Sequence, residues 1–183
     1  MLPSSFRLPV LAAALLAVGV ASCSKPEEKA TPANRISFND FESLDGWAPP
    51  HASLTTAQAH SGRYSVKVDQ ESEYSLGYTN LLGKASVAKI QKLTLRGWAF
   101  PSGPKATASL VVQIVDPNSG KQIYYESLDL AKEAKEAGKW NEVQREFTLP
   151  ANIEAAQQLR VYMWRGGSEQ PTYLDDLEIL KGE

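Results

Sequence analysis

Apolar and polar residues alternate with a period of two along most of the chain, which is the pattern of half-buried β-strands. In one clear stretch, Leu93, Leu95 and Ala99 lie on one side of the alternation, and Arg96 and Trp98 lie on the other. The same alternation predicts strands over residues 53–56, 64–68, 74–81, 93–100, 109–115, 122–129, 142–149, 159–164 and 172–180.

Clusters of turn-forming residues separate these strands, at 61–62, 101–104, 116–120 and 165–171. Many short strands joined by such turns are typical of a β-sandwich or β-barrel. The pattern changes once, at residues 130–137, where we predict a short helix with Asp129 as its N-cap and Gly138 after its end.

The N-terminus carries an apolar run, residues 8–21, preceded by a single charge at Arg7. The run is shorter than the roughly 20 residues that span a bilayer core, so we interpret it as the hydrophobic region of a signal peptide. It ends in small residues before Cys23, and this ending resembles a bacterial lipobox. The resemblance implies cleavage before Cys23 and its lipidation. The alternative is an ordinary secretory peptide with an incidental cysteine.

The sequence therefore divides into a signal peptide (1–22), a lipidated Cys23 with a flexible tether (23–34) and one domain (35–183). The tether contains two prolines and no large apolar residue. Ser24, directly after the cysteine, resembles the sorting signal that directs Gram-negative lipoproteins to the outer membrane. We expect an outer-membrane lipoprotein whose domain faces the periplasm or the cell surface, with the membrane link made by lipid.

Composition limits the chemistry that this chain offers. The net charge is −2, so there is no excess of basic residues to attract nucleic acid. A single cysteine excludes an intramolecular disulfide, and two histidines supply little for a transition-metal site. The sequence also lacks a G-x-S-x-G nucleophile elbow. A glycosidase needs two carboxylates across a cleft, and the adjacent Asp175 and Asp176 point to opposite faces of one predicted strand. We therefore predict that the protein is not an enzyme.

The ends of the domain carry a family resemblance. Residues 39–42, 46–47 and 59–66 resemble the opening of a carbohydrate-binding module with the galactose-binding-domain-like jelly roll. Its closing half is resembled by Trp140, Val143, Phe147, the predicted strand around 159–163 and residues 173–178. This resemblance implies an all-β, jelly-roll β-sandwich that binds carbohydrate without catalysis. The alternative function is an envelope lipoprotein whose jelly roll is a protein-interaction or structural module.

The same resemblance implies a structural Ca²⁺ held by Glu42 and Asp175, together with backbone carbonyls. Calcium accepts six to eight oxygen ligands in irregular geometry, which a sandwich edge can supply. Asp175 shares its parity with Leu177 and Ile179, which predicts that its side chain points inward. The alternative is that both carboxylates accept backbone hydrogen bonds or are solvated.

A candidate ligand face follows from the parity of three strands. If the aliphatic residues fill the core, the opposite face presents aromatic, amide and guanidinium groups: Arg96, Trp98, Gln113, Arg160, Tyr162 and Trp164. Flat aromatic rings bind the apolar faces of sugars, while amides and guanidinium groups bind the hydroxyls. The arginines would also suit an acidic sugar. Trp98 and Trp164 each have an alternative, which is to pack under a neighbouring loop.

Overall fold

A computed structural model describes residues 31–182. Their elements in chain order are β1 (Arg35–Asn39), β2 (Leu54–Thr55), β3 (Ser65–Val68), β4 (Tyr78–Leu81), α1 (Leu82–Ala85), β5 (Lys92–Pro101), β6 (Ser109–Val115), β7 (Gln122–Asp129), α2 (Leu130–Glu133), β8 (Asn141–Thr148), β9 (Gln158–Trp164) and β10 (Thr172–Lys181). The predicted signal peptide, Cys23 and most of the tether lie outside the described residues.

The strands form two antiparallel sheets. One is a six-stranded sheet in the order β2-β3-β10-β5-β8, with β1 also paired to β10, and the other is a four-stranded sheet in the order β4-β9-β6-β7. Aliphatic side chains from both sheets form one buried cluster, with Leu95 and Ile179 from the first sheet and Leu110, Val112 and Val161 from the second. The predicted all-β, jelly-roll β-sandwich is confirmed.

Strand β10 contains an irregularity that changes which side chains face the core. Its pairing with β5 shifts register between Asp175 and Glu178, and Asp176 has a φ of 48°. Leu174 and Leu177 both join the core although they differ in parity, because the bulge adds a residue between them. Asp175 pairs with Trp98 on the outer side of the sheet. The predicted inward orientation of Asp175 is therefore wrong, and its burial comes from a loop that covers it.

Several further elements differ from the sequence prediction, among them α1, which was not predicted, and β4, which begins at Tyr78 instead of residue 74. The helix after Asp129 ends at Glu133 instead of continuing to residue 137, although Asp129 caps it as predicted by accepting hydrogen bonds from the N–H groups of Ala131 and Lys132. Strand β1, which was not predicted, pairs with the far end of the domain in β10. Among residues 31–182, no helix has both the length and the apolar character needed to cross a membrane.

Candidate functional site

The six side chains predicted to share one face are divided between the two sheets. Gln113 lies on β6, and Arg160, Tyr162 and Trp164 lie on β9, so these four project from the outer face of the four-stranded sheet. Arg96 and Trp98 lie on β5 and project from the outer face of the six-stranded sheet. The prediction that all six side chains share one face is therefore wrong. Alternation fixes the two faces of a strand but does not determine which sheet the strand joins.

A groove runs across the outer face of the four-stranded sheet. It has a volume of ≈ 550 Å³, and its lining includes Tyr74, Thr79, Gln113, Arg160 and Tyr162. We refer to it as the Tyr162 groove. Its volume lies in the range of small-molecule binding sites, and its lining combines aromatic rings with amide and guanidinium groups.

The register of the sheet places the polar side chains of the groove in one row. Thr79 pairs with Arg160, and Arg160 pairs with Gln113 on the next strand. Hydrogen bonds hold the amides in place: the Nε2 of Gln113 donates to Gln122 Oε1 at 3.1 Å, and the Nε of Arg160 donates to Gln158 Oε1 at 2.7 Å. These protein hydrogen bonds therefore fix the orientation of the Gln113 amide and the Arg160 guanidinium.

Aromatic residues extend this face along β9. Tyr74 and Tyr162 contact each other edge to face, with ring centroids 5.8 Å apart. Trp164 is 36% exposed, forms an isolated bridge with Tyr74 and donates its indole N–H to Glu73 Oε1 at 3.3 Å. The Trp164 ring is therefore accessible instead of being sealed beneath a loop.

Two tyrosines of this face were missed as site residues from the sequence. Tyr125 pairs directly with Gln113 and is 40% exposed, while its neighbour Tyr124 packs against the core. The turn at 116–120, which joins β6 to β7, was recognisable from the sequence. The pair Val115–Gln122 next to the turn would place Tyr124 opposite Gln113, and the register shift between Ile114 and Val115 puts Tyr125 there instead. Tyr74 begins the predicted strand 74–81, but alternation groups it with Leu76 and Tyr78, which pack against the core. Regular β4 begins only at Tyr78, so the alternation does not report the orientation of Tyr74.

Gly77 allows the chain before β4 to lie close to the backbone of β9 at Val161 and Tyr162. A Cβ at position 77 would lie 2.3 Å from the carbonyl oxygen of Val161 and 2.8 Å from the Cβ of Tyr162. These distances are well below a van der Waals contact, so only glycine lets the chain before β4 approach β9 this closely. Gly77 thereby fixes one wall of the groove.

The phenol of Tyr162 remains protonated at neutral pH. Burial, followed by the proximity of Tyr125 and Tyr74, raises the pKa of Tyr162, while Arg160 acts in the opposite direction. Burial also raises the pKa of Tyr125. These side chains therefore present neutral hydroxyl groups that both donate and accept hydrogen bonds.

On the opposite sheet, the predicted ligand residue Trp98 is covered. The imidazole of His60 stacks on the indole, with ring centroids 3.9 Å apart and an interplanar angle of 12°. The Nδ1 of His60 lies 2.6 Å from Asp176 Oδ2, which holds the imidazole over the indole. This arrangement corresponds to the alternative in which Trp98 packs under a neighbouring loop.

Arg96, also on that sheet, is occupied by an ion pair. Its Nε donates to Glu178 Oε2 at 3.0 Å, and Arg35 Nε donates to the other oxygen of the same carboxylate at 2.6 Å. Glu178 is 3% exposed. A buried carboxylate requires such partners. The Arg96 guanidinium is therefore engaged in an ion pair within the protein.

The predicted metal ligands Glu42 and Asp175 hold the two ends of the 60–64 loop. Asp175 Oδ2 accepts hydrogen bonds from the backbone N–H groups of residues 60 and 61, at 2.8 and 3.1 Å. Glu42 Oε1 accepts from those of residues 63 and 64, at 2.7 and 2.6 Å. Between them, Gly62 has a φ of 58°, and a Cβ there would lie 2.4 Å from the Glu42 carboxyl carbon. The two carboxylates thus clamp one loop.

As arranged, these oxygens suit N–H donors better than a cation. Including the N–H of Asp176, five backbone N–H groups point at the two carboxylates. Among the described residues, no three His, Cys, Asp or Glu side chains converge on a metal position. Calcium at Glu42 and Asp175 stays a prediction, and its binding would require N–H bonds to be exchanged for metal–oxygen bonds.

Asp175 is fully buried beneath the loop. Burial raises the pKa of its carboxyl group, against the opposing effect of the N–H groups of residues 61, 60 and 176, and the charge of Asp176 raises the pKa further. The clamp therefore stabilises the loop through hydrogen bonds, while burying the charged form of Asp175 has a cost.

Comparison with known proteins gives the family. A search of curated proteins found no match. Among solved structures, a tandem CBM22-1–CBM22-2 domain of Paenibacillus barcinonensis Xyn10C aligns with a TM-score of 0.56 at 17% identity, covering 87% of this chain and 52% of the tandem. A xylan-binding domain from CBM 22 aligns with a TM-score of 0.53 at 18% identity, covering 84% of this chain and 99% of that domain.

This chain thus spans about half the length of the tandem protein and the full length of a single domain. At these identities the likeness shows the fold alone. The family model described as "Carbohydrate binding domain" matches residues 33–172, which is most of the chain and nearly all of its described residues. The chain therefore belongs to this carbohydrate binding domain family, CBM_4_9.

Proposed function

We propose that the domain binds a polysaccharide chain in the Tyr162 groove without cleaving it. The observation that carries this proposal is the combination, on one open sheet face, of the Tyr74, Tyr162 and Trp164 rings with the amides and guanidinium of Gln113 and Arg160. Aromatic faces cover the apolar C–H faces of sugars, and the polar row supplies hydrogen bonds to hydroxyl groups.

A non-catalytic role is supported by the charges of the groove. No carboxylate is among the residues that line it in the described part of the chain. Glycosidases generally need two carboxylates that flank the scissile bond. We therefore expect retention of the bound polysaccharide instead of its hydrolysis. Because the aligned structures include xylan-binding domains, a β-1,4-linked xylan is the first polysaccharide to test.

The binding test uses isothermal titration calorimetry with xylan oligosaccharides. We expect Tyr162→Ala and Trp164→Ala each to weaken binding by about tenfold or more, since loss of an aromatic contact in a binding site costs on the order of 1.4 kcal/mol or more. Trp98→Phe is the matched control, because Trp98 lies on the other sheet beneath His60, and it should bind as the wild type does. Equal affinity of all four proteins would place the site elsewhere, and an array of other glycans without a response would reject carbohydrate binding.

We also propose that Cys23 anchors the protein in the outer membrane through attached lipid. The proposal is supported by the apolar run at 8–21 and the small residues before Cys23. Durable anchoring needs more than one acyl chain, as on a lipoprotein cysteine. In cell fractionation, the wild type should be recovered with outer membranes and Cys23→Ala should not. Equal recovery of both in the outer membrane would contradict lipid anchoring.

A further inference from the structure

We propose that the Tyr162 groove selects polysaccharides that carry carboxylate groups, such as uronic acid substituents, and that Arg160 determines this preference. This inference rests on the proposed carbohydrate binding and defines its ligand more closely. The observation behind it is that Arg160 is the one charged residue among those lining the groove in the described part of the chain.

Arg160 has hydrogen-bonding capacity that the structure leaves available. A guanidinium has five N–H donors in a planar fork. The Nε of Arg160 donates to the amide oxygen of Gln158, which fixes the plane of the fork. Its terminal nitrogens make no hydrogen bond and no ion pair to the residues of the described range. They can therefore offer a carboxylate two parallel hydrogen bonds.

Arg35, Arg96 and Arg145 differ from Arg160 because each forms an ion pair. Arg35 and Arg96 share the carboxylate of Glu178, and Arg145 pairs with Glu126 at 2.7 Å. Each of these three guanidinium groups therefore contacts a protein carboxylate. Arg160 has only the neutral amide of Gln158 beside it. A half-buried cation in a binding groove, with no anion supplied by the described residues, is complementary to an anionic ligand.

The neighbouring side chains leave this charge unbalanced. Gln113 and Thr79 flank Arg160 on the adjacent strands and are neutral. Tyr162 stays protonated at neutral pH because burial raises its pKa. The carboxylate of Glu73 accepts a hydrogen bond from the indole N–H of Trp164. The groove thus presents neutral hydrogen-bonding groups for the sugar chain and one positive charge for a substituent.

The test compares glucuronoxylan with the same polymer after its carboxyl groups are reduced to alcohols, so the two ligands differ only in charge and that group. Affinity is measured for the wild type, Arg160→Gln and Arg63→Gln. Arg63 is the charge-matched control, because its exposed side chain lies over the Tyr64 ring, away from the groove. Arg160→Lys, which keeps the charge but loses the fork, guards against a folding defect in Arg160→Gln.

We expect the wild type and Arg63→Gln to bind glucuronoxylan about tenfold more tightly than the reduced polymer, because only the carboxylate forms charged hydrogen bonds with the Arg160 fork. Arg160→Gln should bind both polymers equally, and Arg160→Lys should keep part of the preference. Raising NaCl from about 0.05 to about 0.5 M should reduce the preference, since salt screens the ion pair.

Two results would overturn the inference and can be told apart. If the wild type binds both polymers with equal affinity, or if Arg160→Gln retains the preference, carbohydrate binding stands and the role of Arg160 is rejected. If the wild type binds neither polymer and also fails with neutral xylan oligosaccharides, the proposed function falls together with the inference.

Discussion

Replacing Asp175 with Asn tests whether hydrogen bonds to this side chain hold the 60–64 loop on the six-stranded sheet. The carboxylate accepts three backbone N–H groups, two on Oδ2 and one on Oδ1. Asn has nearly the same volume but only one acceptor oxygen, and its NH₂ group is a donor. At least one N–H group must therefore lose its acceptor, which costs about 1–3 kcal/mol when buried.

The remaining bonds would also weaken, because hydrogen bonds to a charged acceptor are about twice as strong as neutral ones. Part of this loss is offset because the variant buries no charge. We expect a net loss of about 2 kcal/mol in the free energy of unfolding. For a domain of this size, the melting temperature should fall by about 4–8 °C.

Thermal unfolding followed by circular dichroism measures the shift, and amide hydrogen exchange of residues 60 and 61 shows whether the loop itself is loosened. Glu71→Gln is the matched control: its side chain is 82% exposed and should change stability by less than about 0.5 kcal/mol. The hydrogen-bond clamp would be refuted if Asp175→Asn melted at the wild-type temperature with unchanged exchange at both amides.

Three further predictions concern the same loop. If Glu42 and Asp175 bind calcium, saturation at about 100 times Kd should add about 2.7 kcal/mol of stability, and an identical melting temperature in calcium and in chelator would remove the site. Gly62→Ala should lower the melting temperature, because φ is 58° and the new Cβ would meet the Glu42 carboxylate; an unchanged melting temperature would contradict that contact. Since the pKa of Asp175 is raised above its ordinary value of 3.8, the folded state binds more protons between the two values, so wild-type stability should fall as pH rises through that window. Acid titrations of Asp175→Asn should lack this decline.

The local features of the fold could be predicted from the sequence because local interactions decide them. The alternation in β5 matches its burial residue by residue, and Asp129 caps α2 through its own neighbouring N–H groups. The predicted length of that helix was wrong because the side chain of Asn141 accepts hydrogen bonds from the N–H groups of Lys135 and Glu136. Asn141 is the first residue of β8, and the hydrophobic periodicity of residues 130–137 does not predict a contact with it.

Strand β1 was missed for a related reason. Arg35–Asn39 is mostly half-buried and has little apolar alternation, and it becomes a strand through pairing with residues 177–180 of β10. Such a pairing joins the two ends of the domain. Only the folded chain brings its hydrogen-bonding partner into reach.

By itself, the sequence determined that this domain is a sandwich of short strands and that each strand has an aliphatic and a polar face, because side-chain direction repeats every two residues. The tertiary structure decided which strands share a sheet, and therefore that Gln113, Arg160 and Tyr162 meet in one groove while Trp98 lies beneath His60 on the opposite side. It also decided the orientation of Asp175, because one added residue in β10 reverses the parity that follows it. The pairing of strands depends on contacts between residues far apart in the chain. The alternation of residues within one strand carries no information about these contacts.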